Sequence, residues 1–152
     1  MQILKRILLA EDNQNDIELT LEAFAEAKIA NEIVVVRDGA EALDYLLCHG
    51  KFEGRTDGNP ILVLLDLKMP KVDGLEVLRH VKSDAKLRTI PVVILTSSRE
   101  DGDLLESYRL GVNAYVVKPV RFDEFMGAVE HLGVFWALIN EPPPGSLRTG
   151  SK

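Results

Sequence analysis

The fold of this 152-residue chain is decided by residues 61–74, which read ILVLLDLKMPKVDG. The first five of these residues are aliphatic, and Asp66 follows them directly. A strand with apolar side chains on both faces is typical of the interior of a parallel sheet, where helices cover both sides. The next segment carries apolar residues at helical spacing, at Leu75, Leu78 and Val81. The stretch therefore predicts a buried β-strand followed by a helix.

The same alternation is repeated along the chain. Runs rich in leucine or β-branched residues predict five strands, at Arg6–Ala10, Glu32–Val36, Ile61–Leu65, Val92–Leu95 and Ala114–Val117. Helical periodicity is carried by Ile17, Leu21, Phe24 and Ala25, by Ala42, Leu43, Leu46 and Leu47, and by Leu104, Leu105 and Tyr108, and a last helix is expected near Arg121. We therefore expect an α/β fold of the (βα)₅ type, an open, doubly wound sheet with right-handed crossovers.

Two segments depart from this alternation. The segment Cys48–Asn59 contains several glycines and predicts a long polar loop before the third strand. Residues 140–152 contain three consecutive prolines followed mostly by small or polar residues, and they are too few to build a second domain. We therefore expect one domain over residues 1–139 and a proline-rich C-terminal tail over residues 140–152, with no output domain.

The composition excludes several classes of protein. A formal net charge of -6 disfavours binding to nucleic acid or to an anionic membrane surface. No apolar stretch approaches the roughly 20 residues that a membrane-spanning helix needs. Cys48 is the only cysteine, so an internal disulfide is impossible, which fits a reducing compartment and a cytoplasmic location.

Polar side chains stand where four of the predicted strands end. They are Glu11 and Asp12 after the first strand, Asp66 after the third, Thr96 and Ser97 after the fourth, and Lys118 after the fifth. Ligands of open α/β sheets bind beyond the carboxyl ends of the strands, so we expect these side chains to converge on one edge. A cluster rich in oxygen ligands and without cysteine or histidine suits a hard cation such as Mg²⁺.

The same residues carry a family resemblance. They are Glu11-Asp12, Asp66-Leu67-Lys68-Met69-Pro70 with Asp73-Gly74, Thr96-Ser97, and Tyr115-Val116-Val117-Lys118-Pro119. Their order and spacing over about residues 5–132 resemble the receiver domain of response regulators, which implies a flavodoxin-like fold with strand order 2-1-3-4-5. The Glu11-Asp12-Asn13 motif with Asp16, the long loop and residues 135–144 are similar to the single-domain regulators of bacterial and cyanobacterial phytochromes.

The resemblance implies a phosphorylation site at Asp66. This aspartate would accept a phosphoryl group from a histidine kinase, in the narrower resemblance a phytochrome-type kinase. Mg²⁺ would be held by Asp12, Asp66 and the backbone carbonyl of Lys68, while Glu11 would act largely through bound water. Lys68 and Ser98 stand at positions that the family associates with access of hydrolytic water, and the long lysine predicts a slowly hydrolysed phosphate.

The resemblance also implies residues that bind the phosphoryl group and respond to it. Lys118 would pair with the group, and the Thr96 hydroxyl with backbone donors at Lys68 and Ser97 would take its remaining oxygens. Tyr115 is interpreted either as a half-packed strand residue or as the aromatic switch of the family, whose ring turns inward as Thr96 moves toward the phosphate. The output would then be a phosphorylation-dependent contact with another protein.

Three other functions fit these residues less well. A haloacid-dehalogenase phosphatase needs a second acid two residues after its nucleophile, where this chain has Lys68, so turnover of free phosphoesters is not expected. A flavin or dinucleotide module would have a turn rich in glycine or hydroxyl groups after the first strand, where Glu11 and Asp12 repel phosphate instead. A degenerate receiver that serves only as a scaffold is disfavoured because every matched site residue is present. The chain is thus expected to catalyse only its own phosphorylation and dephosphorylation.

The last predicted helix suggests self-association. Its apolar stripe, which is expected to face the core, comprises Phe122, Phe125, Met126, Val129, Leu132, Trp136 and Ile139. Phe135 and Leu138 fall on other sides of the same helix, and an exposed apolar patch usually marks an interface. We expect a two-fold homodimer through these residues. The alternative is that the proline-rich tail folds back and covers them.

Overall fold

The computed structural model describes residues 5–97 and 102–132, without the side chains of residues 102–105 and 131. Strands and helices alternate as β1 Ile7–Ala10, α1 Gln14–Glu26, β2 Ile33–Val36, α2 Gly39–Leu47, β3 Leu62–Asp66, α3 Gly74–Ser83, β4 Val92–Thr96, α4 Gly102–Arg109, β5 Ala114–Val117 and α5 Phe122–Leu132. The predicted (βα)₅ alternation is confirmed.

All neighbouring strands of the sheet are parallel, and their order is β2-β1-β3-β4-β5. The flavodoxin-like fold class with strand order 2-1-3-4-5 is therefore confirmed. The register aligns the carboxyl ends, since Ala10 pairs with Leu65, Asp66 with Leu95, and Thr96 with Val117. The four predicted strand ends with polar residues, those of β1, β3, β4 and β5, thus lie side by side at one edge.

The three central strands are buried on both faces, as their aliphatic sequences predicted. Alternate residues of β3 contribute to two separate cores, because successive side chains of a strand point to opposite faces. Val63 and Leu65 pack with residues of α2 and α3, while Leu62 and Leu64 pack with residues of α1 and α5. In the second core, the rings of Phe24 and Phe125 lie 4.7 Å apart between centroids, which joins α1 to α5 across that face.

Three helices begin at the same edge of the sheet, and each has an N-cap that the sequence supplies. The side chains of Asn13, Asp38 and Asp73 accept hydrogen bonds from the backbone N–H groups of Asp16, Glu41 and Glu76, respectively. Such a cap contributes about 1 kcal/mol by satisfying a donor that the helix leaves unpaired. These caps fix the starts of α1, α2 and α3 around the strand ends.

Several predicted details were wrong. Four of the five strands differ from the prediction by one residue: β1 and β2 begin one residue later, β3 is shifted by one residue toward the C-terminus, and β4 ends one residue later. Asp66 and Thr96 are therefore the last residues of β3 and β4 rather than the residues after them. Leu21 and Ala25 are exposed, because α1 turns Ile17, Thr20, Ala23 and Phe24 inward. The Thr20 hydroxyl tolerates burial since it donates to the Asp16 carbonyl at 2.8 Å. Phe122 is also exposed, because it begins α5 and the first buried residue of that helix is Phe125.

The predicted polar loop before β3 is anchored to α2. It contains a short 3₁₀ turn, Gly50–Phe52, and the Arg55 guanidinium lies 4.0 Å from the centroid of the Tyr45 ring. The same guanidinium donates two hydrogen bonds to the Tyr45 carbonyl, at 2.6 and 3.1 Å. In the part of the chain that the structure describes, no helix has the length and apolar character needed to cross a membrane.

Some sequence-based expectations fall on residues outside those that the structure describes. They concern Ser98, the side chains of Leu104 and Leu105, the continuation of the last helix to Ile139, the interface residues Phe135 and Leu138, and the tail over residues 140–152, all of which lie outside the described residues.

Candidate functional site

The carboxyl edge of the sheet brings together the residues that the sequence predicted there. Glu11 follows β1, Asp66 ends β3, Thr96 ends β4, and Lys118 follows β5. Glu11, Asp66 and Thr96 are almost fully buried, whereas Asp12 is exposed. Buried acids of this kind are uncommon unless they are paired with a cation or protonated, so the edge is a chemically distinct site.

Three acids at this edge could hold a metal ion. Glu11, Asp12 and Asp66 each offer a carboxylate oxygen, and these three oxygens lie within 4.8 Å of one another. The Lys68 backbone adjoins them, because its N–H donates to Asp66 Oδ1 at 3.4 Å. Carboxylate oxygens without nitrogen or sulfur ligands match the preference of Mg²⁺ or Mn²⁺. The donor set therefore fits a hard divalent cation, as predicted.

The Lys118 ammonium lies among carboxylates. Its Nζ atom is 2.9 Å from Asp16 Oδ2, 3.0 Å from Glu11 Oε1 and 3.4 Å from Asp66 Oδ1. The Lys118 backbone is fixed as well, since its N–H donates to the Thr96 carbonyl at 2.7 Å. The side chain is 13% exposed, so solvent screens these charges only weakly. A fixed ammonium next to Asp66 can neutralise negative charge that arrives there.

The charges at the site shift the pKa values of its members. Burial raises the pKa of Glu11 to about 7, and the charge of Asp66 adds to this effect, while Lys118 acts against it. Burial also raises the pKa of Asp66, against the influence of Lys118. Burial alone would lower the pKa of Lys118, but Asp16, Asp66 and Glu11 outweigh it and raise the pKa above its usual value. The ammonium therefore stays charged. Its positive charge only partly offsets the burial and mutual repulsion that raise the pKa values of Glu11 and Asp66.

Asp16 was not predicted as a site residue. Its carboxylate makes the shortest of the three contacts with Lys118, although the two residues are 102 positions apart in the chain. One feature of the sequence pointed to it: Asp16 lies four residues after Asp12, in the first turn of a predicted helix. Side chains in a first turn are tilted toward the N-terminus of the helix, and here that direction leads to the end of β1. The partner could be identified only once the position of β5 was known.

The loop after Asp66 is packed closely against two glycines. A Cβ atom built at Gly74 would lie 2.4 Å from the Asp66 carbonyl oxygen, and one at Gly39 would lie 1.8 Å from the Val72 carbonyl oxygen. The Gly74 N–H also donates to the Leu67 carbonyl at 3.0 Å. The backbone of this loop, which includes Lys68, therefore packs directly against the backbone at Gly74 and at Gly39, with no room for a side chain.

Thr96 and Tyr115 lie on neighbouring strands, β4 and β5, which are joined by the pairing of Ile94 with Tyr115. Thr96 is buried at the end of its strand, and Tyr115 is half-buried. The Tyr115 ring packs against the ring of Tyr108 on α4. An aromatic ring with one buried and one exposed side can change its environment by rotating about its side-chain bonds.

The chain matches a known family over most of its length. The family model of the response regulator receiver domain matches residues 7–130, a range that contains every strand of the described residues and nearly all of the last described helix.

Individual relatives agree with this match. The chain is 44% identical over 137 residues to the probable methanogenesis regulatory protein FilR2 of Methanothrix harundinacea, covering 90% of this chain and 86% of that protein. It is 39% identical over 132 residues to the response regulator Rcp1 of Synechocystis, covering 87% and 88%.

Solved structures agree as well. The bacteriophytochrome response regulator RtBRR is 61% identical, with a TM-score of 0.84 over 95% of this chain and 87% of that one. The Mn(2+)-bound form of Rcp1 is 37% identical, with a TM-score of 0.72 over 91% of this chain and 99% of that one.

Proposed function

Because the chain belongs to the response regulator receiver domain family, we propose that Asp66 accepts a phosphoryl group from a histidine kinase and that the chain signals through this modification. The observation that carries the proposal is the position of Asp66, which lies 3.4 Å from the Lys118 ammonium and within a cluster of three carboxylates. A nucleophile, a fixed cation and oxygen ligands for a metal are what phosphoryl transfer asks of a protein.

In the proposed reaction, a carboxylate oxygen of Asp66 attacks the phosphorus atom of a phosphohistidine. A P–O bond forms, the P–N bond breaks, and the imidazole of the kinase leaves with the electron pair. The Lys118 ammonium would pair with a phosphoryl oxygen as charge builds up. The Thr96 hydroxyl and the backbone N–H groups of Lys68 and Ser97 would receive the remaining oxygens.

We propose Mg²⁺ as the cation of this site. Asp12, Asp66 and the backbone carbonyl of Lys68 would hold it, with Glu11 acting largely through bound water. When bound, the ion neutralises carboxylate and phosphoryl charge that would otherwise repel each other. The fit of the three carboxylates supports a hard cation, and the Mn(2+)-bound form of the relative Rcp1 supports a divalent one.

The chain is proposed to act only on itself. A phosphatase of the haloacid-dehalogenase type would need an acid two residues after Asp66, and Lys68 stands there with an exposed side chain. Without that acid, protonation of a leaving group on a free phosphoester has no donor at this position. The aspartyl phosphate is expected to hydrolyse slowly because the Lys68 side chain can screen it, and an autodephosphorylation rate at the fast end of the family would contradict this expectation.

The names of the relatives support a signalling context. RtBRR is named a bacteriophytochrome response regulator, which supports a histidine kinase of the phytochrome type as the phosphoryl donor. A cytoplasmic site of action is proposed from the sequence, which has a single cysteine. Thr96 and Tyr115 are proposed as the switch that alters the surface of α4, β5 and α5 for a protein partner. A homodimer through Phe135 and Leu138 is proposed from the sequence alone.

The proposal can be tested by phosphotransfer. A phytochrome-type histidine kinase is labelled on its phosphohistidine and mixed with the chain, and transfer of label is followed over time. The wild type should acquire the label and Asp66→Asn should not, since the amide is not a nucleophile. Asp84→Asn is the matched control, because Asp84 caps the far end of α3 and lies away from the site. Equal labelling of wild type and Asp66→Asn would refute the assignment.

A further inference from the structure

Asp16 is the acid nearest to the Lys118 ammonium, and the proposed reaction assigns it no role. Its Oδ2 lies 2.9 Å from Lys118 Nζ, compared with 3.4 Å for Asp66 Oδ1. Asp16 does not belong to the group of three acids whose oxygens lie within 4.8 Å of one another. A substitution at Asp16 therefore leaves the three candidate metal ligands themselves in place.

The position of Asp16 is fixed on both sides. Its N–H donates to the side chain of Asn13, the N-cap of α1, at 2.9 Å. Its carbonyl accepts a hydrogen bond from the buried Thr20 hydroxyl at 2.8 Å. These bonds hold the first turn of α1 so that the carboxylate, which is 27% exposed, reaches the ammonium.

An ammonium group has three N–H donors. In this structure the acceptors around Lys118 are Asp16, Glu11 and Asp66, and the contact with Asp66 is the longest. The contact most easily exchanged is thus the one that faces the proposed nucleophile. Two short charge-assisted bonds to the other acids hold a long, flexible side chain in one orientation before any phosphoryl group arrives.

We propose that Asp16 is a positioning residue for phosphoryl transfer, which acts by holding the Lys118 ammonium over Asp66. The inference rests on the proposed function of Asp66. Asp16 would fix the Lys118 ammonium without contacting the phosphoryl group or the metal ion. Removing its acceptor should therefore slow the transfer step and leave metal affinity almost unchanged.

The obvious alternative is that Asp16 only stabilises its helix, as acids in a first turn do. Glu76 provides the matched control, because it has the same place in α3 that Asp16 has in α1. The N–H of Glu76 also donates to the N-cap side chain, Asp73 Oδ1, at 3.0 Å, but its own carboxylate lies next to Arg79 and His80, two exposed residues of its helix. A purely helical role predicts the same loss for both residues.

The test measures the rate of Asp66 phosphorylation by acetyl phosphate at saturating Mg²⁺, together with Mg²⁺ affinity and thermal unfolding. Asp16→Ala should lower the rate by about tenfold, the order expected for one lost positioning bond, with Mg²⁺ affinity within about twofold of wild type. Asp16→Asn should recover most of the rate, because its amide oxygen accepts the same hydrogen bond. Glu76→Ala should react like the wild type. If Asp16→Ala loses its melting transition, Asp16→Leu, which is similar in size and has no acceptor, replaces it.

If the wild type is phosphorylated and Asp16→Ala reacts at the same rate, this inference is overturned and the proposed function still stands. A rate for Asp16→Asn as low as that for Asp16→Ala, or equal losses in Asp16→Ala and Glu76→Ala, would overturn it as well. A wild type that gains no phosphoryl group would overturn the proposed function, and the inference with it.

Discussion

The rings of Tyr108 and Tyr115 meet at a right angle, with their centroids 5.9 Å apart and their planes at 89°. Tyr108 is 48% exposed, so the ring of Tyr115 packs against a residue at the protein surface. Edge-to-face pairs contribute about 0.5–1.5 kcal/mol beyond the area they bury. If Tyr115 turns inward during signalling, it gives up this contact, and new contacts of the ring or of the phosphoryl group have to offset the loss.

Thr96→Ala should uncouple phosphorylation from the surface formed by α4, β5 and α5. The methyl group cannot bond the phosphoryl group, so nothing draws β4 and Tyr115 inward, although Asp66 still reacts. The measurement is the change in amide chemical shifts on that surface when Mg²⁺ and acetyl phosphate are added. Thr96→Ser, which keeps the hydroxyl, should respond like the wild type. A wild-type surface with identical shifts before and after phosphorylation would end the switch hypothesis.

Removal of Mg²⁺ should stop phosphorylation. Without a cation, Glu11, Asp12 and Asp66 present clustered negative charge to an anionic phosphoryl donor. Phosphorylation by acetyl phosphate is followed in excess chelator and again after Mg²⁺ is restored. Asp12→Asn should raise the Mg²⁺ concentration needed for half-maximal rate by about tenfold or more. A rate that does not change in excess chelator would contradict the metal site.

Gly39→Ala should destabilise the protein and weaken its affinity for Mg²⁺. The new Cβ atom would lie 1.8 Å from the Val72 carbonyl oxygen, so the backbone of the loop that carries Lys68 must move. We expect a loss of about 1–3 kcal/mol in the free energy of unfolding. Gly127→Ala is the control, since a Cβ atom there meets nothing within 4 Å and alanine favours its helix. Equal stability of the two variants would show that the loop tolerates the shift.

Replacing Phe135 and Leu138 by glutamate should give a folded monomer. Phe125 and Val129, which belong to the apolar stripe of the last helix, are buried in the core. If the helix continues, Phe135 and Leu138 fall on other sides of it, where they would form an exposed apolar patch. Molar mass from light scattering distinguishes the two states. A wild type that is already monomeric at high micromolar concentration, both before and after phosphorylation, would refute the homodimer.

A parallel sheet covered by helices on both sides was predictable because burial on both faces leaves a clear pattern in the strands, whereas the strand order 2-1-3-4-5 came from the family resemblance. Residues 61–65 are all aliphatic, and they form the central strand β3 apart from Ile61, which precedes it. The convergence of Glu11, Asp66 and Lys118 was predictable too, because the carboxyl ends of parallel strands share one edge. Both conclusions need only the order of the elements along the chain.

Details that depend on helix rotation and distant contacts were not predictable. Leu21 suited the expected stripe of α1, yet the helix turns Thr20 inward because its hydroxyl finds the Asp16 carbonyl. The pair of Asp16 and Lys118 requires the first turn of α1 and the end of β5 to be placed in space. Arg55 reads as an ordinary loop residue until its guanidinium is seen against the Tyr45 ring.

The most direct test of the account is the intact mass of the wild-type chain after incubation with acetyl phosphate and Mg²⁺, followed by peptide mapping. We predict a gain of one phosphoryl group, located on Asp66, that is absent in chelator and absent in a folded Asp66→Asn variant. A phosphoryl group on another residue, or an Asp66→Asn variant that gains the same mass at the wild-type rate, would contradict the account.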